Sequence, residues 1–322
     1  MGLGDERARL IVLYLSDDAL ETMDIAPADI ANAIEEALRN KAAGGLHVAP
    51  KSALLPGGGR YMMSTLAVGD LTVVKQVTVS PDNPKIGLPT INGAILVLDA
   101  ETGLPKAVMG ANWITAHRTA ALSAVAARRL ADPDARTIAF IGCGVQARSH
   151  LRAFASQFPI RSVIGFGRTQ AGVDAFLEHA DHLGFQTQAA NTPENALRAA
   201  DIVVSSVTLN YDIQPFLDAS WLKPSAFAAI TDLCIPWQPN SMGQFGTVIV
   251  DDMEQERSSE KPMLDAQLIA GDLTDLVLGN IEQHATGQPS AFGFRGIALG
   301  DYAAVALALH RAEETGVGQR IA

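Results

Sequence analysis

TIAFIGCGVQA, residues 137–147, is an apolar run that leads into two closely spaced glycines and then a helix-forming sequence. In a strand–turn–helix of this kind, Gly142 permits the tight turn, Gly144 lets backbone N–H groups approach a diphosphate, and Ala147 allows the helix to pack closely on the strand. The positive end of the helix then faces the diphosphate. Glycines also mark ordinary turns, but the strand that follows favours a dinucleotide site. The predicted cofactor contacts in this loop are Gly142, Gly144, Val145, Gln146 and Ala147.

The tip of the next predicted strand, residues 162–166, indicates which coenzyme is bound. An acidic residue there would accept hydrogen bonds from a ribose 2′-hydroxyl, as in NAD-binding sites. Here Arg168 and Thr169 follow instead, and a cation beside a hydroxyl suits a 2′-phosphate. NADP(H) is therefore favoured, and NAD(H) is the alternative, in which Arg168 stacks on the adenine or faces solvent. Thr208, which follows the predicted strand 200–207, is a further candidate cofactor contact.

The pattern of predicted strands and helices changes at about residue 113. After it, strand and helix patterns alternate, which is typical of βαβ units and a parallel sheet. Before it come one helix and three strands rich in Val, Thr, Ile and Leu. We therefore predict an α/β protein with a Rossmann-type dinucleotide-binding domain at 113–295 and a smaller α+β substrate domain at 1–112 and 296–322. The predicted helices are 27–43, 113–131, 144–157, 170–183 and 302–314, and the predicted strands are 63–68, 71–79, 91–99, 137–141, 162–166, 200–207, 226–231 and 247–251.

The composition excludes several classes of protein. With 35 acidic and 24 basic residues among 322, the formal charge of −11 argues against a nucleic-acid partner. No apolar run reaches the roughly 18 residues of a membrane span, and the amino terminus lacks a secretory pattern, so we expect a cytoplasmic protein without a membrane partner. The two cysteines, and the spacing of His47 and His117, predict no metal site. The mixed charge run 251–261 is typical of a solvated helix face or loop.

Taken with the first domain, the glycine loop resembles sequences of the ornithine cyclodeaminase/μ-crystallin family. The combination of this loop with the earlier segment 114–120, ITAHRTA, is specific, and the resemblance covers nearly the whole chain. It implies a Rossmann domain, a substrate domain that also forms a homodimer, and chemistry on small α-amino or α-imino acids. The matching stretches are 50–51, 74–75, 87–90, 114–120, the glycine loop, 231–232 and 296–301.

The same resemblance implies roles for residues outside the glycine loop. Lys75 matches the family's active-site lysine, and Arg118 matches an arginine whose planar guanidinium holds the substrate α-carboxylate. Thr90 matches a hydroxyl that helps to hold this carboxylate, and Thr115 is a further predicted cofactor contact. Each of these roles has an alternative. Lys75 would then be a solvated lysine on an edge strand, Arg118 would form a surface ion pair, and Thr90 would be a purely structural threonine.

Other positions match the family with departures. Lys51 stands where ornithine cyclodeaminase has an arginine, so we expect a contact to the substrate anion without the planar fork. Asp232 matches an aspartate of acid–base chemistry near the substrate nitrogen, and in a closed, partly apolar site a raised pKa would let it donate a proton. Its alternative role is a helix cap or turn, and the residues that follow it differ from those of the cyclodeaminase. Arg295 borders the predicted nicotinamide region, and Arg60, in the predicted loop 56–60, is a candidate for a second substrate carboxylate.

These residues favour an NAD(P)H-dependent reductase of an α-imino acid, of ketimine reductase or amino-acid dehydrogenase type. Lys51, Lys75 and Arg118 would orient the α-carboxylate, and Asp232 would supply a proton to nitrogen as hydride reaches the imine carbon. The surplus of basic residues in an acidic chain, namely Lys51, Arg60 and Arg295, favours a substrate with more than one carboxylate, such as an iminodicarboxylate. Two alternatives stay open: an ornithine cyclodeaminase-type lyase that uses bound NAD⁺ catalytically, and a non-catalytic binding protein like μ-crystallin.

Overall fold

The computed structural model describes residues 11–209, 211–281 and 287–322. In these ranges the chain forms two β-sheets with helices packed against them. The strands are β1 Val12–Leu15, β2 His47–Val48, β3 Ser52–Gly57, β4 Arg60–Val68, β5 Leu71–Val79, β6 Ile91–Asp99, β7 Pro105–Gly110, β8 Thr137–Ile141, β9 Ser162–Phe166, β10 Gln186–Ala189, β11 Ile202–Ser205, β12 Phe227–Ile230, β13 Thr247–Val250, β14 Ile269–Asp272, β15 Ser290–Gly293 and β16 Gln319–Ile321. The helices are α1 Asp17–Thr22, α2 Pro27–Ala42, α3 Ala111–Leu130, α4 Val145–Ala155, α5 Gln170–His182, α6 Pro193–Ala199, α7 Met253–Arg257, α8 Leu273–Leu278 and α9 Ala298–Thr315.

The first sheet is mixed and follows the order β16-β1-β7-β6-β5-β4-β2, with β3 also paired to β4. Its three long antiparallel strands, β4 to β6, are the β-rich stretch that the sequence predicts. Helices α3 and α9 pack on this sheet, and α2 packs against both of them. Ile30, Ile34 and Leu38 of α2 are fully buried, as their four-residue spacing predicts. Pro27 occupies the first helical position, where its missing N–H is not needed.

The second sheet is parallel, in the order β10-β9-β8-β11-β12-β15-β13-β14. The strand order reverses at β8 and β11, which therefore form the topological switch point where ligands of doubly wound sheets bind. Strand β8 is buried on both faces. Its residues 138–141 are therefore all apolar, whereas a strand with one face in water would alternate apolar and polar residues. The predicted α/β fold class with a Rossmann-type sheet is confirmed.

Helices α3 and α9 connect the two sheets. Helix α3 packs against α2, α4 and α9 and against strands of both sheets. Helix α9 lies on β4 and β5 and approaches α3 closely at Gly300, where a Cβ atom would lie 2.8 Å from the Leu122 side chain. This packing brings Arg118 of α3 and Asp301 of α9 to the inner face of the first sheet. The domain bounds 1–112 with 296–322 and 113–295 stay a prediction.

Two segments differ from what their composition predicts. In the charge run 251–261, Asp251 and Glu256 are buried, so the prediction of a solvated face is wrong. The reason is its position: it follows β13 at the carboxyl edge of the parallel sheet and binds the backbone beyond β15. The predicted loop 56–60 is mostly a hairpin, because β3 and β4 pair up to Gly57 and Arg60.

Candidate active site

Three neighbouring strands place polar side chains in one row on the inner face of the first sheet. Thr65 of β4 pairs with Lys75 of β5 in the antiparallel register. Lys51 immediately precedes β3, whose Ser52 pairs with Ser64, so Lys51 lies at the level of Thr65. Side chains at one level of adjacent strands are direct neighbours on a sheet face. Strand pairing therefore brings Lys51 close to Lys75, although 24 positions separate them in the sequence.

Asp301 of α9 contacts Lys75 of this row and also Arg118 of α3. Its Oδ1 lies 2.5 Å from Lys75 Nζ and 2.9 Å from Arg118 Nε, and its Oδ2 accepts a hydrogen bond of 2.9 Å from Thr65 Oγ1. The Arg118 Nε–H is an ion-pair partner but is not aligned for a hydrogen bond, and Arg118 Nη1 is buried without any hydrogen-bond partner among the described residues. The planar guanidinium thus keeps free N–H groups inside the protein, and it also lies 5.2 Å from the Phe294 ring centroid.

We call Lys51, Lys75 and Arg118 the cation cluster. Burial and the neighbouring positive charges shift the pKa values of its two lysines. Burial, reinforced by Arg118, lowers the pKa of Lys75 to about 8. Burial likewise lowers the pKa of Lys51 to about 8, against the opposing attraction of Asp251. For Asp301 burial alone would raise the pKa, but Arg118 and Lys75 outweigh it and hold that pKa below its usual range. At neutral pH the cluster therefore carries positive charge that Asp301 only partly neutralises.

A second set of contacts ties Lys51 to the turn that follows β15. Lys51 Nζ donates to the Arg295 carbonyl oxygen at 2.7 Å, and its backbone N–H donates to Gln255 Oε1 at 3.1 Å. Asp251 Oδ2 accepts from the backbone N–H groups of Arg295 and Gly296 at 3.1 and 2.5 Å. Gly296 has a φ of +100°, which glycine adopts without the steric cost of a Cβ. Burial raises the pKa of Asp251 to about 6.

Asp232 lies just beyond β12 at the carboxyl edge of the parallel sheet. Its Oδ1 accepts from Ser205 Oγ, and its Oδ2 accepts from the Val207 backbone N–H, both at 3.1 Å. Because the side chain is buried, its pKa is raised to about 7 in spite of these hydrogen bonds. The next two residues, Leu233 and Cys234, both have positive φ, a strained conformation for side chains with Cβ atoms. A strained turn therefore directly follows Asp232 at the carboxyl edge of the parallel sheet.

The glycine loop has the local geometry that a dinucleotide requires. Gly142 has a φ of +100°, and a Cβ atom there would lie 2.6 Å from the Ser206 carbonyl oxygen. A Cβ atom on Gly144 would meet nothing within 4 Å, so open space lies in front of the amino terminus of α4. No side chain caps this terminus, and Gln146 Oε1 is buried without a partner among the described residues. Uncapped N–H groups facing open space suit a diphosphate. The loop therefore fits the cofactor that the sequence predicts.

Four of the other predicted cofactor contacts, which lie outside the glycine loop, are Arg168, Thr169, Thr208 and Thr115. Arg168 is exposed at the end of β9, and Thr169 caps α5, because its Oγ1 accepts from the Gly172 N–H at 3.3 Å. Thr208 is exposed beyond β11. Thr115, on α3, has a buried hydroxyl without a partner among the described residues. Cys143, inside the loop, donates weakly to the Phe166 carbonyl oxygen, and burial raises its pKa to about 11, so that it stays a thiol.

Some predicted site residues do not meet the cation cluster. Thr90 lies five positions along β6 from Ile95, the partner of Lys75, and is therefore about 17 Å away along the sheet. Arg60 is exposed at the hairpin, where its Nε donates to the Gly57 carbonyl oxygen at 3.4 Å. Arg295 turns its guanidinium to Glu256. The expectation of a second substrate carboxylate rested on Lys51, Arg60 and Arg295, and it loses the support of the last two.

Four buried carboxylates among the described residues of this region carry no role in the predictions from sequence: Asp251, Asp252, Glu256 and Asp301. Asp301 lies within the stretch 296–301 that carries the family resemblance. The signal for it is an acidic residue in residues 298–309 of α9, a segment without any other charged residue. No local signal distinguishes Asp251 and Glu256 from solvated acids. Within the described residues, no group of three His, Cys, Asp or Glu side chains is arranged to hold a metal ion. None of the helices that the structure describes combines the length and apolar character of a membrane span.

The strand order and the glycine loop at its switch point define a Rossmann-type dinucleotide-binding fold. The chain belongs to the ornithine cyclodeaminase/mu-crystallin family, whose model matches residues 15–316, and the predicted family is confirmed. It is 33% identical over 260 residues to an uncharacterized cyclodeaminase of Sinorhizobium fredii, covering 75% of this chain and 77% of the relative. It is 27% identical over 258 residues to the Δ1-pyrroline-2-carboxylate reductase of Bacillus cereus, covering 77% and 79%. The predicted enzyme class, an NAD(P)-dependent oxidoreductase acting on C–N groups, is confirmed by relatives of this kind.

The fold is also that of a solved Δ1-pyrroline-2-carboxylate reductase from Thermococcus litoralis, in complex with NADH and L-proline. The two structures superpose with a TM-score of 0.88 at 23% sequence identity, over 96% of this chain and 100% of that chain. At this identity the likeness concerns the fold.

Proposed function

We propose that this protein reduces the C=N bond of a small α-imino acid with NAD(P)H, using Lys75 and Asp232 as its catalytic residues. The observation that carries the proposal is the buried Lys75–Asp301–Arg118 group, whose guanidinium keeps an unpartnered Nη1. A buried cation without a full set of partners is costly unless an anion binds it. An α-carboxylate is the anion of matching geometry, because its two oxygens fit the guanidinium fork.

The cation cluster orients the substrate. Arg118 binds the α-carboxylate through its free N–H groups, while the ammonium groups of Lys51 and Lys75 add charge from the first sheet. Asp301 keeps Lys75 and Arg118 from separating. Holding the carboxylate in this way fixes the adjacent imine carbon, and such positioning supplies much of the rate acceleration of a bimolecular reaction.

Asp232 supplies the proton to the imine nitrogen. Its pKa of about 7 leaves a substantial protonated fraction at neutral pH, and a general acid works best when its pKa lies near the operating pH. Ser205 Oγ and the Val207 N–H fix the carboxyl at the crevice edge. The nicotinamide, when bound, supplies the hydride that reaches the imine carbon.

NADP(H) is the coenzyme we favour. Support comes from Arg168 and Thr169 at the end of β9, where an exposed cation adjoins a hydroxyl and no carboxylate is present to bind a 2′-hydroxyl. The glycine loop and Thr115, Thr208 and Arg295 would line the rest of the coenzyme site. Binding of NAD(H) is the alternative. We expect the enzyme to act in the cytoplasm.

We also propose a homodimer formed through the outer face of the first sheet. Register places Tyr14, Leu66, Val74, Leu96 and Val108 in one row across five strands of that face. Tyr14, Leu66 and Leu96 are 41%, 39% and 38% exposed, although a sheet face in water is normally polar. A second copy of the chain would cover this row.

A cyclodeaminase that uses NAD⁺ catalytically is the second candidate. It is favoured by the 33% identity to the Sinorhizobium fredii protein. Such an enzyme would convert an ornithine-like diamine with release of ammonia and without net change in the coenzyme. The two functions therefore differ in an observable way.

The test is a screen of α-keto acids, each with ammonia or methylamine, against NADPH and NADH, followed by nicotinamide absorbance. We expect coenzyme oxidation in the parent protein and a loss of about 10- to 100-fold in kcat/KM for Lys75→Met, because a charged partner of the carboxylate is removed. Lys85→Met is the matched control, since the Lys85 side chain is 75% exposed in a surface ion pair. In a separate assay with an ornithine-like diamine and no added ammonia, ammonia release without net coenzyme reduction would favour the cyclodeaminase. Full activity of Lys75→Met would refute the site.

A further inference from the structure

Arg295, the fourth basic residue of this region, already has an anionic partner within the protein. Its Nε and Nη2 donate to Glu256 Oε2 at 2.9 and 2.7 Å, and Nη2 also donates to the Lys261 carbonyl oxygen at 2.9 Å. The ion pair is buried, with 11% of the Arg295 side chain and 3% of the Glu256 side chain exposed. Glu256 Oε1 is fixed in turn by the backbone N–H of Met263. The charge of Arg295 is therefore neutralised inside the protein.

Arg295 also borders the cation cluster. Lys51 Nζ donates to its carbonyl oxygen at 2.7 Å. Burial is the main cause that lowers the pKa of Lys51, and the charges of Arg118 and Arg295 both add to it, so Lys51 is within electrostatic range of both guanidinium groups. Arg295 therefore adjoins the Lys51 side of the cation cluster, where it is a neighbouring cation for a substrate anchored at Arg118.

The charges of this region leave room for one ligand carboxylate. Among the described residues, the cations are Lys51, Lys75, Arg118 and Arg295, and the buried carboxylates set against them are Asp251, Asp301 and Glu256. Two further buried carboxylates leave this balance unchanged: Asp252 is paired with Lys41, and Asp232 is uncharged in the protonated form that donates to the substrate. One positive charge is therefore in excess at neutral pH. Lys261 does not change this balance, because its exposed side chain places the ammonium over the Tyr211 ring, 4.7 Å from the centroid. A second ligand carboxylate would be buried without a counter-ion, which is strongly unfavourable.

We infer that Glu256 determines substrate specificity: by occupying Arg295 it makes the site accept an α-imino monocarboxylate and reject a dicarboxylate. The inference rests on the proposed function, whose substrate class it narrows. Discrimination of this kind works through a repulsive element, here the Glu256 carboxylate and the missing free cation, rather than through an added attraction.

The test compares two substrates that differ only in a terminal carboxylate, 2-oxopentanoate and 2-oxoglutarate, each with ammonia and the preferred coenzyme. We expect the parent protein to have the higher kcat/KM with 2-oxopentanoate. Glu256→Gln keeps an acceptor for the Met263 N–H but frees Arg295, and it should shift the ratio of kcat/KM values toward 2-oxoglutarate by about 10- to 100-fold, the effect of one charged hydrogen-bonding partner.

Two variants separate charge from structure. Glu256→Asp keeps the negative charge and should keep the preference for 2-oxopentanoate, even if the shorter side chain lowers stability. The double variant Glu256→Gln/Arg295→Gln removes both charges and should lose the gain with 2-oxoglutarate. If Glu256→Gln and Glu256→Asp have the same substrate ratio, or if the parent prefers 2-oxoglutarate, the inference is overturned.

Equilibrium binding distinguishes this inference from the proposed function. Calorimetry with pentanoate and glutarate, in the presence of coenzyme, measures the charge preference of the site without turnover. If no imino acid is reduced, the proposed function fails, but tighter pentanoate binding that reverses in Glu256→Gln would still support the role of Glu256. If turnover occurs and both anions bind equally in both proteins, the inference fails and the proposed function stands.

Discussion

Replacing Asp301 with Asn would remove the one carboxylate that contacts both Lys75 and Arg118. Asn has nearly the same volume, so the change is one of charge. Lys75 Nζ and Arg118 Nε lie 2.5 and 2.9 Å from Asp301 Oδ1, and their side chains are 4% and 8% exposed. Two buried cations would then face each other without this counter-ion.

The cost follows from that burial. Removing one partner of a buried ion pair typically costs about 3–5 kcal/mol, because the remaining charge is desolvated and uncompensated. With an unfolding entropy of about 2.1 cal/mol/K per residue, and the chain treated as one cooperative unit, this corresponds to a Tm lower by about 4–7 °C. The Thr65→Val variant is the control, since it removes only the hydrogen bond to Asp301 Oδ2 and should cost about 1 kcal/mol.

The pH dependence of the loss of stability in Asp301→Asn, the stability deficit, provides a sharper check. The folded-state pKa of Asp301 is lowered, so its contribution is present above its unfolded pKa and is lost only as pH falls through the folded value. The pKa of Lys75 is lowered to about 8, so the cost of burying its charge is present below that value and is relieved as pH rises above it.

In Asp301→Asn this relief comes earlier, because the pKa of Lys75 falls further without its anion. The stability deficit should therefore be smaller at about pH 9 than at about pH 7. Thermal and denaturant unfolding at both pH values measure it. A deficit below about 1 kcal/mol, or one that does not change with pH, would refute the assignment of Asp301 as the counter-ion.

Three further outcomes are expected. Reduction should slow as pH rises through about 7, because Asp232 donates a proton only when protonated, and Asp232→Asn should lose this limb of the kcat profile. Gly142→Ala should lower both stability and coenzyme affinity, whereas Gly144→Ala should lower coenzyme affinity alone, since only the first Cβ meets the protein; thermal unfolding and coenzyme fluorescence titration distinguish them. Arg168→Ala should reduce the preference for NADPH over NADH by about tenfold or more, and an unchanged ratio would contradict its contact with a 2′-phosphate.

Much of the fold could be predicted because it is encoded locally. The turn at Gly142, the burial of Ile138 to Ile141 and the four-residue spacing of Ile30, Ile34 and Leu38 each follow from a few neighbouring residues. Such patterns state which face of an element is apolar and where the backbone must turn. The short strands β1 and β16 escape this reasoning, because their pairing with distant partners, rather than their composition, makes them strands.

The charged contacts of the site, by contrast, could not be predicted from local sequence. Lys75 and Asp301 are 226 positions apart, and Arg295 and Glu256 are 39 apart, so no window of sequence contains either pair. An acidic residue can be solvated in a surface helix or buried at a sheet edge. The sequence of residues 251–261 is compatible with both. Only the packing of α9 and of the segment beyond β15 decides between them.

By itself the amino-acid sequence determined the parallel sheet, the loop built to receive a diphosphate and the identity of the cations. Tertiary structure alone decided which of those cations are free. Arg118 keeps an unpartnered donor, whereas Arg295 is occupied by Glu256 and Arg60 lies at an exposed hairpin. The physical reason is that the availability of a charge depends on what surrounds it in space, and those surroundings come from parts of the chain that meet only after folding.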